Sequence, residues 1–262
     1  MADEEKKFTD VNELGEFGLI DHVTKDLPHF QVSSVFGVGD DAAVIRSSRG
    51  TSFLATTDAL VEGIHFDLTY TPLAHLGYKA VMVNLSDIYA MNGTPTQILV
   101  SLAFSSKYTV EAIEAIYDGI KAACKRHGVD IVGGDTTSAP RGMMISITAI
   151  GQVEQKKVTY RHEAKAGDLL CVSGDLGGAY LGLQLLEREK QVYLTDENAK
   201  PELEDFNYLV GRQLKPEARK DIIDMFAEAE FQPTSMIDIS DGLASEVFHI
   251  CTKSKIGALV EE

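Results

Sequence analysis

The chain has 262 residues, and 44% of them are hydrophobic. That is enough for a real core and excludes a disordered or fibrous chain. Forty acidic residues against twenty-four basic ones give a formal charge of −16, which excludes holding nucleic acid or an anionic membrane by bulk electrostatics. An anionic ligand would need its charge neutralised by something other than Lys and Arg, and a divalent metal is the obvious candidate.

At roughly 150 residues per domain, the length allows one large domain or two modest ones. Cys124, Cys171 and Cys251 are far apart and odd in number. With no CxxC pair, neither a zinc site nor a disulfide framework is expected, and a reducing cytoplasm fits. The N-terminus lacks a basic region followed by an apolar stretch, so no signal peptide is read. No apolar run approaches the roughly 18 residues of a membrane helix.

In chain order, residues 1–10 are polar and expected to fray. Leu14, Phe17, Ile20 and Val23 recur at helical spacing within 12–27, which Pro28 closes. Residues 37–41, Gly-Val-Gly-Asp-Asp, form a turn-rich loop. Residues 42–45 and 53–57 read as strands. Thr71-Pro72 reads as an N-cap with proline at the first helical position, starting a helix that runs to Asn92 with Gly93 as its stop. From Val81 to Met91 this helix is apolar nearly all round, so it is buried. Its polar residues Asn84, Ser86 and Asp87 stand out, and Asn84 and Asp87 should be bonded to something. A strand follows over 97–104. Thr109 caps a second long helix to His127, stopped by Gly128. Strands are expected at 129–132 and 143–150, the first feeding Gly133-Gly-Asp-Thr-Thr137.

Residues 151–167 are polar, with Lys156, Lys157, Arg161 and Lys165, and a domain boundary is placed there, between 1–155 and 156–262. Beyond it, strands are expected at 169–172, 236–239 and 256–260. Helices are expected at 177–190, around 203–213 and 217–229, and at 241–252, with a polar loop over 191–202. Mixed elements in each half suggest two α/β or α+β lobes.

The Walker-A loop, the dinucleotide fingerprint, the HExxH zinc motif, the GxSxG elbow and the protein-kinase set are all absent from the sequence. What remains is a set of aspartates in small, turn-forming contexts: Gly39-Asp40-Asp41, Thr56-Thr57-Asp58, Gly134-Asp135-Thr136 and Asp238-Ile-Ser240-Asp241, with Asp87 in Asn84-Leu-Ser-Asp87. Hard cations take carboxylate oxygens and fill the remaining positions with water and phosphate. Small neighbours let backbone N–H groups approach a phosphate. Each context alone reads more readily as a plain turn, and Asp58 or Asp241 as a simple helix or turn cap. Asp87 is harder to dismiss, because a carboxylate inside an apolar helix is costly unless used. His65 on its own reads as structural, and Arg161 and the nearby lysines as a solvated face.

The order of these motifs resembles the thiamine-monophosphate kinase family, within the superfamily of aminoimidazole ribonucleotide synthetase. The resemblance rests on Gly37–Ala43, Thr56–Phe66, Asn84–Asp87, Gly133–Thr137, Arg161 through Asp168, and Asp238–Leu243. It spans residues 14 to 260. The cysteine or selenocysteine near the N-terminus of selenophosphate synthetases is missing. The resemblance implies transfer of the γ-phosphoryl group of ATP to thiamine monophosphate, giving thiamine diphosphate, with several Mg²⁺ ions. It marks Asp41, Thr56, Thr57, Asp58, Asp87, Asp135, Asp238 and Asp241 as metal-binding positions. Tyr117, Gly134, Arg161 and Ser240 become ATP contacts, and His65 a contact to the thiamine phosphate. It also implies a two-lobed fold: an N-terminal α/β lobe with a mixed sheet used for homodimerisation, and a C-terminal α+β lobe.

Family members continue into a Gly-Gly-Glu-Asp segment that contacts the thiamine moiety, and nothing here matches it, so a truncated form with an incomplete C-terminal lobe is expected. Three alternatives stand beside the kinase: another ATP-dependent enzyme of the superfamily, a Mg–ATP-binding module without turnover, and an acidic globular protein whose Asp-rich turns are merely turns.

Overall fold

A computed structural model describes residues 13–47, 50–196 and 198–260; the first ten residues, expected to fray, lie outside that range. The first half is built on a six-stranded sheet, β1 (Ser34–Phe36), β2 (Ala43–Arg46), β3 (Thr51–Val61), β4 (Thr94–Phe104), β5 (Asp130–Ser138) and β6 (Met143–Glu154). Their order is β1-β2-β3-β6-β4-β5. β6, the last strand in sequence, therefore lies between β3 and β4 and pairs antiparallel with both. β4 and β5 are parallel and need a crossover, which helix α3 (Val110–His127) supplies.

Alternation along β6 sets the two faces of the sheet. Met143, Ile145, Ile147, Ala149, Gly151 and Val153 are buried, beneath α2 (Leu73–Ala90) and α3. The intervening residues Met144, Ser146, Thr148 and Ile150 face the uncovered side and are partly open. α2 and α3 meet at glycines. A Cβ on Gly77 would lie 2.0 Å from the Ile116 carbonyl oxygen, and one on Gly119 1.9 Å from that of Ala74. No larger residue fits this approach without parting the helices.

The helix signals hold with small shifts. The Thr109 hydroxyl accepts the Ala112 N–H, and Gly128 closes α3 at φ 69°. α2 begins one residue later than expected: Pro72 is extended and sits at the cap itself. Its stop is Asn92, left-handed at φ 60°, rather than Gly93. Gly93 instead serves packing, since a Cβ there would lie 2.4 Å from the Leu54 side chain. The strand expected at 129–132 continues through the Gly-Gly-Asp run as β5, with a shift of register against β4 at Val132.

The second half is helical: α4 (Gly178–Thr195), α5 (Asn207–Leu214), α6 (Lys220–Glu228) and α7 (Leu243–Ser254). α1 (Gly15–Thr24) joins it, with the Phe17 ring 4.8 Å from that of His249 on α7. Segments 169–172, 236–239 and 256–260, expected as strands, carry no strand pairing. Apolar patterning supplies a strand's faces but not its hydrogen-bonding neighbour, and none is adjacent here. Leu169 is 90% exposed and Leu259 81%.

Candidate active site

Four segments of the chain converge where the two lobes meet. Adjacent strand residues point to opposite faces, so on β3 Thr56 and Asp58 turn toward α2 while Thr57 turns away. The Thr56 hydroxyl donates to Asp87 Oδ2 at 2.6 Å. The Asp58 N–H donates to Asn84 Oδ1 at 2.8 Å, and the Asn84 amide donates to the Ala80 carbonyl at 3.0 Å. Both polar residues singled out in the buried helix thus have partners. The loop before β2 brings Asp41, and the segment before α7 brings Asp238. One carboxylate oxygen from each of Asp41, Asp87 and Asp238 lies within 4.8 Å of the others.

Three carboxylates at that spacing repel one another. Burial, then the charges of Asp238 and Asp58, push Asp87 up to about 9. Burial pushes Asp41 up to about 8, with Arg161 opposing and Asp238 and Asp40 adding to it. Asp238 is also raised, chiefly by burial, although Ser86 and Ser240 donate to it. Asp58 is raised by burial and by Asp238, against the pull of His65. Asp41 Oδ2 is buried with no hydrogen-bond partner. Three neighbouring carboxylates, one with a buried and unpartnered oxygen, are the donor set a hard divalent cation requires.

Arg161 closes the site from the inter-lobe segment. Its guanidinium bonds Asp41 Oδ1, and its Nε lies 3.5 Å from Asp40. In the sequence Asp40 is only one member of the Gly-Asp-Asp turn; the structure gives it a role of its own. Its side chain is 0% exposed. It accepts the N–H groups of Arg161 at 3.1 Å and Asp41 at 3.0 Å, and it lies 3.6 Å from His162 Nδ1. Asp40 therefore clamps the inter-lobe segment to the Gly-Asp-Asp loop. A doubled aspartate in a turn hints at two roles, but only a contact 121 residues away reveals this one.

The remaining candidates lie elsewhere. Thr57 donates to the Ile147 carbonyl at 3.2 Å and meets the Ser146 and Thr148 hydroxyls on the uncovered sheet face. Asp135, on edge strand β5, pairs in register with Ser101 and through it with Ser146. It is thus three strand spacings, roughly 14 Å, from β3. Gly134 packs tightly, since a Cβ would lie 1.8 Å from the Val100 carbonyl oxygen. Tyr117 lines a cleft of about 390 Å³ with Phe104, Tyr108, Ile113 and Lys121. Asp241 is exposed, its N–H held by Glu246, and its charge reaches Asp238. His65 is exposed, and its Nδ1 accepts the Val61 N–H at 3.0 Å. That bond leaves the proton of the neutral ring on Nε2, an available donor.

Comparison with known proteins places this geometry. Residues 39–153 match the family model "AIR synthase related protein, N-terminal domain". The chain is 35% identical over 249 residues to the thiamine-monophosphate kinase of Bacillus subtilis, covering 95% of this chain and 74% of that one. It is 37% identical over 246 residues to that of Aquifex aeolicus, covering 94% and 73%. Among solved structures, one described as AaThiL complexed with AMPPCP and TMP superposes with a TM-score of 0.80 at 34% identity, covering 95% of this chain and 73% of that one. The chain thus spans about three quarters of the length of these relatives and has the two-lobed α/β and α+β fold of their superfamily. With its carboxylate cluster, inter-lobe arginine and motif order all set on that fold, the chain belongs to the thiamine-monophosphate kinase family.

Proposed function

We propose that this protein phosphorylates thiamine monophosphate with ATP, giving thiamine diphosphate and ADP by direct in-line transfer. The observation that carries the reading is the Asp41–Asp87–Asp238 cluster, with its buried, unpartnered oxygen, in a chain of this family. The acceptor is a phosphate oxygen already ionised at neutral pH. No strong general base is required, and positioning with charge neutralisation does the work.

Asp41, Asp87 and Asp238 would hold Mg²⁺, with Thr56, Asp58 and Asp241 beside them. When bound, the metal neutralises phosphate charge and holds the two anionic reactants together. Arg161, already oriented by Asp40, offers a forked donor to a phosphate oxygen. The Ser240 hydroxyl offers another. Nε2 of His65 donates to the acceptor phosphate. Tyr117 and its aromatic neighbours suit a planar base.

Thr57 and Asp135 lie on the side a second copy would cover, and Gly134 adjoins Asp135 on edge strand β5. Their part in the reading is therefore tied to a homodimer formed through the sheet, and the partly open row Met144, Ser146, Thr148 and Ile150 supports it. In this reading the lobes divide between residues 155 and 156. Partners are the two phosphorylated small molecules and a second copy, and the charge of −16 opposes nucleic acid and anionic membranes. No described helix is long and apolar enough to cross a membrane. Three free cysteines fit a reducing cytoplasm.

The test is this chain with ATP, thiamine monophosphate and Mg²⁺, following thiamine diphosphate directly. Product that disappears on chelation is expected. Absence of product, together with absence of Mg–ATP binding, would overturn the reading.

A further inference from the structure

The loop that carries His65 is tied to both lobes. After β3 ends at Val61, its leading end is held from within the first lobe. Glu62 accepts from Lys107 at 2.8 Å and from the Tyr108 hydroxyl at 2.5 Å, and its N–H donates to the Met143 carbonyl. Phe66, 6% exposed, pins the middle to the core.

The trailing end is held from the second lobe. The Tyr70 hydroxyl donates to Glu187 Oε1 at 2.7 Å. Lys190 donates to Asp67 Oδ2 at 2.8 Å and to Glu187 Oε2 at 3.3 Å. Asp67 in turn accepts the Thr69 N–H at 2.7 Å. Tyr70, Glu187, Lys190 and Asp67 therefore form an unbroken chain of charge-assisted hydrogen bonds between the loop and one face of α4.

α4 itself buries only Gly178, Gly182 and Leu186. The polar chain, next to Leu186, is thus a principal tie between this helix and the first lobe. A hydrogen bond to a charged group has more orienting power than a neutral one, and four groups in one network act as a unit.

We propose that Tyr70 and Asp67, gripped by Glu187 and Lys190 of α4, are positioning residues that set the His65 loop against the second lobe. This rests on His65 as the acceptor-phosphate contact. The site for the acceptor then depends on where α4 stands, whereas Asp41 and Asp87 of the cluster are held by the Asp40 clamp, β3 and α2, and Asp238 enters from the segment before α7 rather than from α4.

The experiment is steady-state kinetics of Tyr70→Phe, Lys190→Met and Lys190→Arg, with hydrogen exchange on the same proteins. Tyr70→Phe and Lys190→Met should each raise KM for thiamine monophosphate about tenfold. KM for ATP should stay within about twofold, because the cluster shares no partner with the clasp. Lys190→Arg should retain most of the acceptor affinity. The Tyr70→Phe/Glu187→Gln double variant should be no worse than the poorer single. Amides of residues 62–71 should exchange faster while those of β3 and β6 stay unchanged. Equal rises in both KM values, or no change in either, would overturn the proposal. If the unaltered chain makes no thiamine diphosphate, the proposed function fails separately. The clasp is then judged by exchange: faster exchange confined to 62–71 in Tyr70→Phe supports it, and unchanged exchange overturns it.

Discussion

The two lobes contrast in what holds them. In the first, β6 lies between two partners and every second residue from Met143 to Val153 is buried beneath α2 and α3. In the second, α4 buries three residues, α6 buries none, and three strand-like segments lack neighbours. Yet the second lobe brings Asp238 into the cluster, and the inter-lobe segment brings Arg161. Rigidity and charge are thus divided: the first lobe fixes the site and the second completes it. A completing element held by few apolar contacts moves at lower free-energy cost than a core element, which suits a site that must admit and release two phosphorylated ligands.

The strongest way to break this division is at the cluster. Asp87→Asn should lower kcat/KM by about 10³ or more while leaving the fold intact, because Asn keeps the shape and still offers an oxygen to the Thr56 hydroxyl. Activity assays beside urea unfolding check both halves, and a variant that unfolds would show Asp87 to be structural. Next is the core itself. Ile147→Ala, at a fully buried site, should cost about 3–4 kcal/mol, and Leu181→Ala, at a residue 51% exposed on α4, under about 0.5 kcal/mol. Comparable losses in urea melts would erase the contrast.

Mg²⁺ sharpens it from the ligand side. At a hundredfold excess over its dissociation constant it should stabilise the protein by about 2.7 kcal/mol. Thermal melts should show the shift in the unaltered chain and not in Asp238→Asn. Asp40→Asn should weaken the clamp on Arg161 and lower kcat/KM about tenfold, with little change in the Mg²⁺-dependent shift.

The smallest effect is at acid pH. Burial works against it, but the hydrogen bonds from Lys190 and Thr69 hold Asp67 at about 2, below its ordinary 3.8. A carboxyl depressed in the folded state contributes stability that is full above 3.8 and is lost as pH falls toward about 2. Asp67→Asn should lack this increment, under about 1 kcal/mol after solvent screening, when unfolding is followed from pH 5 to pH 2.

Much of the first lobe was legible because its signals are local. Thr109 and Gly128 bound α3 by chemistry that acts within four residues, and the nearly all-round apolar character of α2 announced its burial. Asn84 and Asp87 were conspicuous for being polar where nothing polar belongs. The expected strands at 169–172, 236–239 and 256–260 failed because pairing is non-local, and pattern names a strand's faces but not its neighbour. Within the site, adjacent Thr56 and Thr57 looked equivalent, and pleating sent them to opposite sides of the sheet. Asp135 matched its motif, and only the strand order reveals that it lies at the edge of the sheet. The clasp at Tyr70 and Asp67 carries no motif and links positions more than a hundred residues apart.

The reciprocal glycine contact between α2 and α3 reaches further than packing. With Gly77 against Ile116 and Gly119 against Ala74, neither helix can slide along the other without colliding with backbone, so the pair works as a rivet. Asp87 lies ten residues beyond Gly77 on the same continuous helix, roughly 15 Å away at the usual rise. A helix is stiff along its axis, so the rivet sets the height at which Asp87 meets Thr56. A methyl group added at the rivet would act as a shim, and its displacement would be read at the far end of α2 as a cluster out of alignment.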